Sequence, residues 1–91
     1  MKPVEHVTAE LFTEPGNNAV VRLPPRRFPG VLVQGDSLSV IRDEVAGILA
    51  ACEQRDVEEA GELAAYLLAD LDELLAGYTA VLEEHGIVRP F

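Results

Sequence analysis

The chain has 91 residues, with 7 Lys and Arg against 16 Asp and Glu, a net charge of −9, and 48% hydrophobic residues. That mixture excludes a disordered acidic tail, and the length suits one small domain around one core. No run of about 18 apolar residues and no basic, then apolar leader is present, so neither a membrane span nor a signal peptide is expected. The lone Cys52 can form no internal disulfide, which points to a reducing, cytoplasmic compartment.

In chain order, Val4–Phe12 alternates Val7, Ala9 and Leu11 with His6, Thr8 and Glu10, the period of a half-buried strand. Glu14-Pro15-Gly16-Asn17 places proline and glycine at the two central positions of a type II turn. Ala19–Leu23 and Val31–Gln34 are short runs rich in β-branched residues, and they predict two more strands of an antiparallel meander. The segment between them, Pro24-Pro25-Arg26-Arg27-Phe28-Pro29-Gly30, is stiffened because each proline restricts its own φ and the backbone before it.

The rest of the chain reads as helices. Asp36 or Ser37 is suited to accept the first free N–H groups of a helix. Leu38, Ile41, Val45, Ile48 and Cys52 then follow at alternating steps of three and four, with Leu49 widening the stripe. Arg55-Asp56 breaks this helix, and Asp56 with Glu59 opens the next. Its seam is Ala64, Leu67, Leu71, Leu74, Tyr78 and Val81, supplemented by Leu68, Leu75 and Leu82. Gly86 suits the left-handed position after the last turn, with Ile87 as the hydrophobic contact beyond and Pro90 as a stop. The expected fold is therefore α+β: a small three-stranded antiparallel sheet over residues 1–35, then a two-helix antiparallel hairpin over 36–88, in one domain.

Charge divides the chain as well. Up to Gly35 four basic residues face three carboxylates, net +1; from Asp36 onward three arginines face 13 carboxylates, net −10. The second helix, about 28 residues, is expected to outreach the first, about 17 residues, by some 15 Å at 1.5 Å per residue. Its overhang still carries apolar positions, which the sheet covers in part and a second copy in a homodimer covers for the rest.

The candidate binding residues are Arg22, Arg26, Arg27 and Phe28, with Asp36 and Ser37. Guanidinium groups on a stiff loop suit a phosphate, a carboxylate or an acidic surface. Equally, they suit pairing with the acidic helices of the same molecule. Phe28 either plugs one end of the core or stacks on a ligand. Asp36 and Ser37 are explained by capping alone, since Asp36 puts a negative charge where a phosphate would sit, and a P-loop's glycine spacing is missing. Beyond capping, they are expected to share one polar cleft with the loop.

Glu58, Glu59, Glu62, Asp70, Asp72 and Glu73 form a solvated helix face or a docking surface for a basic protein. His6, His85 and Cys52 make no zinc pattern, and no nucleophile is tied to a histidine by a local motif, so no metal, cofactor or catalytic set is expected. The acidic balance disfavours nucleic acid.

The stretch Val20–Leu38, with Arg26-Arg27 ahead of Phe28-Pro29-Gly30 and then Gln34-Gly35-Asp36-Ser37-Leu38, resembles a group of short uncharacterised bacterial proteins that share a domain of unknown function. The resemblance runs over nearly the whole chain and implies a bacterial, cytoplasmic origin. It transfers no catalytic residue. The expected role is a non-catalytic protein-interaction module, of inhibitor or immunity type. The alternative is an anionic-ligand or enzymatic site at Arg26 and Arg27 with Asp36 and Ser37.

Overall fold

Alternation and turn chemistry in the first third of the chain yield a three-stranded antiparallel sheet of order β1-β2-β3, in a computed structural model that describes all residues 1–91. Its strands are β1 (Glu10–Leu11), β2 (Val20–Arg22) and β3 (Gly30–Val31). Helices α1 (Gly35–Glu53) and α2 (Val57–Glu84) follow, so the α+β arrangement is the expected one. The residues gather into two compact units: Met1–Leu32 with Tyr78–Phe91, and Val33–Gly77.

In the first unit β1 is much shorter than the alternation over Val4–Phe12 predicts. The register sets Glu10 opposite Arg22, which brings Pro24 opposite Thr8. Proline has no N–H to donate, so pairing stops there and Val4 and Val7 stay exposed. The reversal after β1 also differs from a type II turn at Pro15-Gly16. Gly16 has φ 155°, and the closing bond runs from the Ala19 N–H to the Gly16 carbonyl at 3.3 Å, with Asn18 left-handed at φ 67°. Asparagine tolerates that conformation better than other residues with a Cβ.

The core of this unit is Val20, Tyr78 and Leu82, with Phe12, Val31, Val81 and Ile87 packed around it. Leu82 is only 1% exposed. Phe12 rather than Leu11 is the β1-end residue that reaches it, because neighbouring residues on a strand point to opposite faces. Sheet residues thus cover Tyr78, Val81 and Leu82, the part of α2 for which partial cover by a second copy was expected. The helix ends as its sequence predicts. Gly86 has φ 67°, its N–H reaches the Glu83 carbonyl at 3.1 Å, and the Ile87 N–H reaches the Leu82 carbonyl at 2.9 Å, a Schellman motif with Ile87 against the core.

The second unit is the hairpin. α1 begins at Gly35, with Gln34 at the N-cap, so Asp36 and Ser37 sit in the first turn and not ahead of it. α1 ends in the same motif as α2, but with Arg55 in the left-handed position at φ 58°. There the Asp56 N–H meets the Ala51 carbonyl at 2.9 Å, and the Arg55 N–H meets the Cys52 carbonyl at 3.0 Å. Asp56 caps α2 as expected, its carboxylate accepting the Glu59 N–H at 3.0 Å.

The seam between the helices is rotated from the expected one. On α1 it runs through Ser37, Ile41, Glu44, Ile48 and Ala51; on α2 through Ala60, Leu63, Leu67 and Leu74. Gly47 lies against Leu63: a Cβ at that glycine would stand 3.7 Å from Leu63 Cδ1, at ordinary contact distance. At this point a small residue of α1 faces a leucine of α2. Leu38, Val45, Leu49 and Cys52, assigned to the seam by their spacing, are exposed. One carboxylate oxygen of Glu44, in the seam, is buried without a hydrogen-bond partner.

Candidate functional site

The proline-stiffened loop is held at both ends. Arg22, at the end of β2, donates to both carboxylate oxygens of Glu10 on β1, at 2.7 and 2.8 Å. Its Nη1 also donates to the Arg27 carbonyl at 3.3 Å, and its guanidinium lies 5.5 Å over the Phe12 ring. The hydrogen bonds from Arg22 hold the Glu10 carboxyl below the usual carboxylate range and push the Arg22 guanidinium up. Of the arginines considered, Arg22 therefore follows the internal-pairing reading, with a strand carboxylate as its partner. At the other end of the loop the Tyr78 hydroxyl donates to the Pro29 carbonyl at 2.6 Å. The Arg26 N–H closes a turn onto the Leu23 carbonyl at 2.8 Å, across a cis Pro24–Pro25 bond.

Arg26 and Arg27 are exposed and make no ion pair. Arg27 lies over the Phe28 ring at 5.2 Å. Phe28 is half-buried outside the core cluster; Pro29 is the buried loop residue, so Phe28 does not plug the core.

Two shallow cavities flank Arg26. One, about 380 Å³, has the paired Glu10 and Arg22 in its wall together with Arg26, so part of its charge is already compensated. The other, about 400 Å³, is lined by Val21, Leu23, Phe28, Val31 and Leu32, with Arg26 as its charged wall residue. It opens on the sheet face opposite the core and suits an anion attached to an apolar body.

Asp36 and Ser37 belong to the other compact unit, where the Asp36 carboxylate accepts the Ser37 N–H at 2.8 Å. The hairpin carries its own two-sided surface. At 100° per residue, Asp36 and Asp43 on α1 and Glu59, Glu62, Asp70 and Glu73 on α2 are all turned the same way from the seam. Leu38, Val45, Leu49 and Cys52 on α1, and Ala64, Leu68 and Leu75 on α2, are turned the other way, with Leu71 nearer the seam. In antiparallel helices, equal rotations from the seam lead to the same side. One flank of the hairpin is thus acidic and the other apolar, and all these residues are exposed.

The 3-4 spacing alone does not reveal the apolar flank, because it fits more than one rotation of the helix. Its signal was the surplus of leucines, Leu49, Leu68 and Leu75 beyond a single seam, which widens the stripe past what one neighbouring helix can cover. No three His, Cys, Asp or Glu side chains converge within metal-ligating reach, and no helix is long and apolar enough to cross a membrane.

Comparison with known proteins finds no curated protein and no solved structure that matches the chain. The resemblance carried by the central motif has a firm counterpart at the level of the family: residues 4–91 match the model of DUF6959, a family of unknown function, and the chain belongs to that family.

Proposed function

We propose that the protein is a non-catalytic protein-interaction module whose acidic hairpin flank takes a basic protein partner, as an inhibitor or immunity-type protein does. The observation behind this reading is the segregation of Asp36, Asp43, Glu59, Glu62, Asp70 and Glu73 onto one exposed flank. Only Asp43 among them is paired, with the neighbouring Arg42 at 3.1 Å. A single-signed face of this kind steers a cationic partner and speeds encounter, with a steep loss in salt. The lone thiol and the resemblance to bacterial proteins support the bacterial cytoplasm as the compartment in this reading.

The test is capture of partners from the native cytoplasm by the wild type and by a Glu59→Lys, Glu62→Lys, Asp70→Lys, Glu73→Lys variant, at about 50 and about 500 mM salt. A basic protein held by the wild type at low salt only, and lost by the variant, supports the reading. Capture that is equal for both proteins overturns it.

A second reading rests on the cavity that pairs Arg26 with apolar walls: a site for a small carboxylate or phosphate bearing an apolar tail, centred on Arg26 and without Arg27, Asp36 or Ser37 in its wall. Such a ligand should raise the melting temperature of the wild type and not of Arg26→Ala. A panel of tailed and tailless anions with no effect on the wild type rejects it.

A further inference from the structure

The opposite flank of the hairpin calls for a different occupant. Leu49 is 59% exposed, Leu68 58%, Leu38 57% and Leu75 47%, and Val45 and Leu71 lie among them. Together these side chains present about 500 Å² of hydrocarbon on one side of two helices, at the upper end of what a monomer's largest patch usually shows. The whole chain exposes 7217 Å², whereas a folded monomer of 9.9 kDa exposes roughly 5,200 Å². With Gly61, Ala64 and the stem of Arg42 between and beside the leucines, the flank approaches the roughly 800 Å² per partner of a standard interface.

We propose that this flank is a homodimer interface, on which the hairpins of two copies pack face to face as a four-helix bundle. Three features favour a second copy. The patch is two helices wide, with exposed leucines on both α1 and α2, which is the pattern another such hairpin complements. Glu59, Glu62, Asp70 and Glu73 point away from it and only Asp72 of α2 borders its outer edge, so two chains of charge −9 can meet with these four carboxylates turned outward. The small Gly61 and Ala64 beside Leu68 offer hollows for leucines of the facing copy. An isologous contact of this kind closes on itself and leaves both acidic flanks free for the basic partner.

This inference does not depend on the acidic-flank reading, and salt separates the two. A dimer held by hydrocarbon between like-charged chains is unchanged or tightened by salt, whereas a basic partner is released. Sedimentation equilibrium from micromolar to near-millimolar concentration should give twice the chain mass for the wild type. Leu49→Glu and Leu68→Glu place a carboxylate in the buried interface and should each weaken the dimer by at least about 100-fold. Both positions are already exposed in the single chain, so its helical circular dichroism should be unchanged. Glu62→Lys, on the other flank, should leave the dimer intact. Cys52 lies on the apolar flank, and its rate of reaction with a thiol reagent should fall as the dimer forms. A wild type of single-chain mass throughout overturns the proposal. So do folded Leu49→Glu and Leu68→Glu proteins that still dimerise, and a Cys52 rate that does not change with concentration.

Discussion

The two compact units solve the problem of a small core in opposite ways. The sheet unit has strands of two or three residues, too short to be stable alone, and completes itself with the last turns of α2. Tyr78 and Pro29, 49 positions apart in the chain, are joined there by a buried hydrogen bond. In the hairpin the order is local, and Ala51 and Leu67 are its buried apolar residues. Most of its leucine surface faces outward. A region whose stability rests on remote contacts has little apolar surface to spare on its core side, whereas a region whose helices form locally can leave a whole flank for association.

The sharpest way to break this contrast is at Leu82. Leu82→Ala should cost about 3 kcal/mol of unfolding free energy in urea, as large-to-small changes in closed cores do, while Leu68→Ala should cost under about 1 kcal/mol at a concentration where the protein is a single chain. Tyr78→Phe removes the donor to the buried Pro29 carbonyl and should cost about 1–2 kcal/mol, with amide exchange faster around Gly30 than in α1.

Two substitutions in the hairpin should act in the opposite direction. Glu44→Met replaces a carboxylate with an unpartnered buried oxygen by an apolar side chain of similar length, and should stabilise by about 1 kcal/mol in thermal unfolding. Arg55→Gly relieves a left-handed side-chain residue at the end of α1 and should stabilise by about 0.5–1 kcal/mol in the same measurement.

The smallest effect is electrostatic and confined to the sheet unit. Glu10 is held below the usual carboxylate range in the folded chain, so its contribution is present above the unfolded-state carboxylate value. It is lost as pH falls through the lower folded value. Glu10→Gln should therefore flatten the stability profile between about pH 5 and 3 and leave the slope above pH 6 unchanged, as read from urea midpoints.

Much of this is legible in the sequence alone. The helix stop at Gly86 and Ile87, the cap at Asp56 and the order of strands and helices follow from local chemistry, because a left-handed glycine or a capping carboxylate acts on its own few neighbours. The long first strand was misread because alternation over Val4–Phe12 predicts a strand only where a partner stands opposite, and Pro24 removes that partner. At the candidate loop, the prolines and arginines were plain in the sequence. The pairing of Arg22 with Glu10 and the anchoring of Pro29 by Tyr78 were not, since both join residues far apart in the chain.

The uneven charge was also visible at once, as a −10 portion that begins at Asp36. Its division within the hairpin into an acidic and an apolar flank was not, because the same 3-4 spacing fits a seam through Leu38, Val45 and Cys52 or one through Ser37, Glu44 and Ala51. Sequence periodicity determined that these helices would be amphipathic, since that depends only on the 100° turn between successive residues. Tertiary packing decided which side of the stripe meets the other helix. Gly47 lies against Leu63 in that seam and Ala51 and Leu67 are buried, while the larger Val45 and Leu49 are left to face outward.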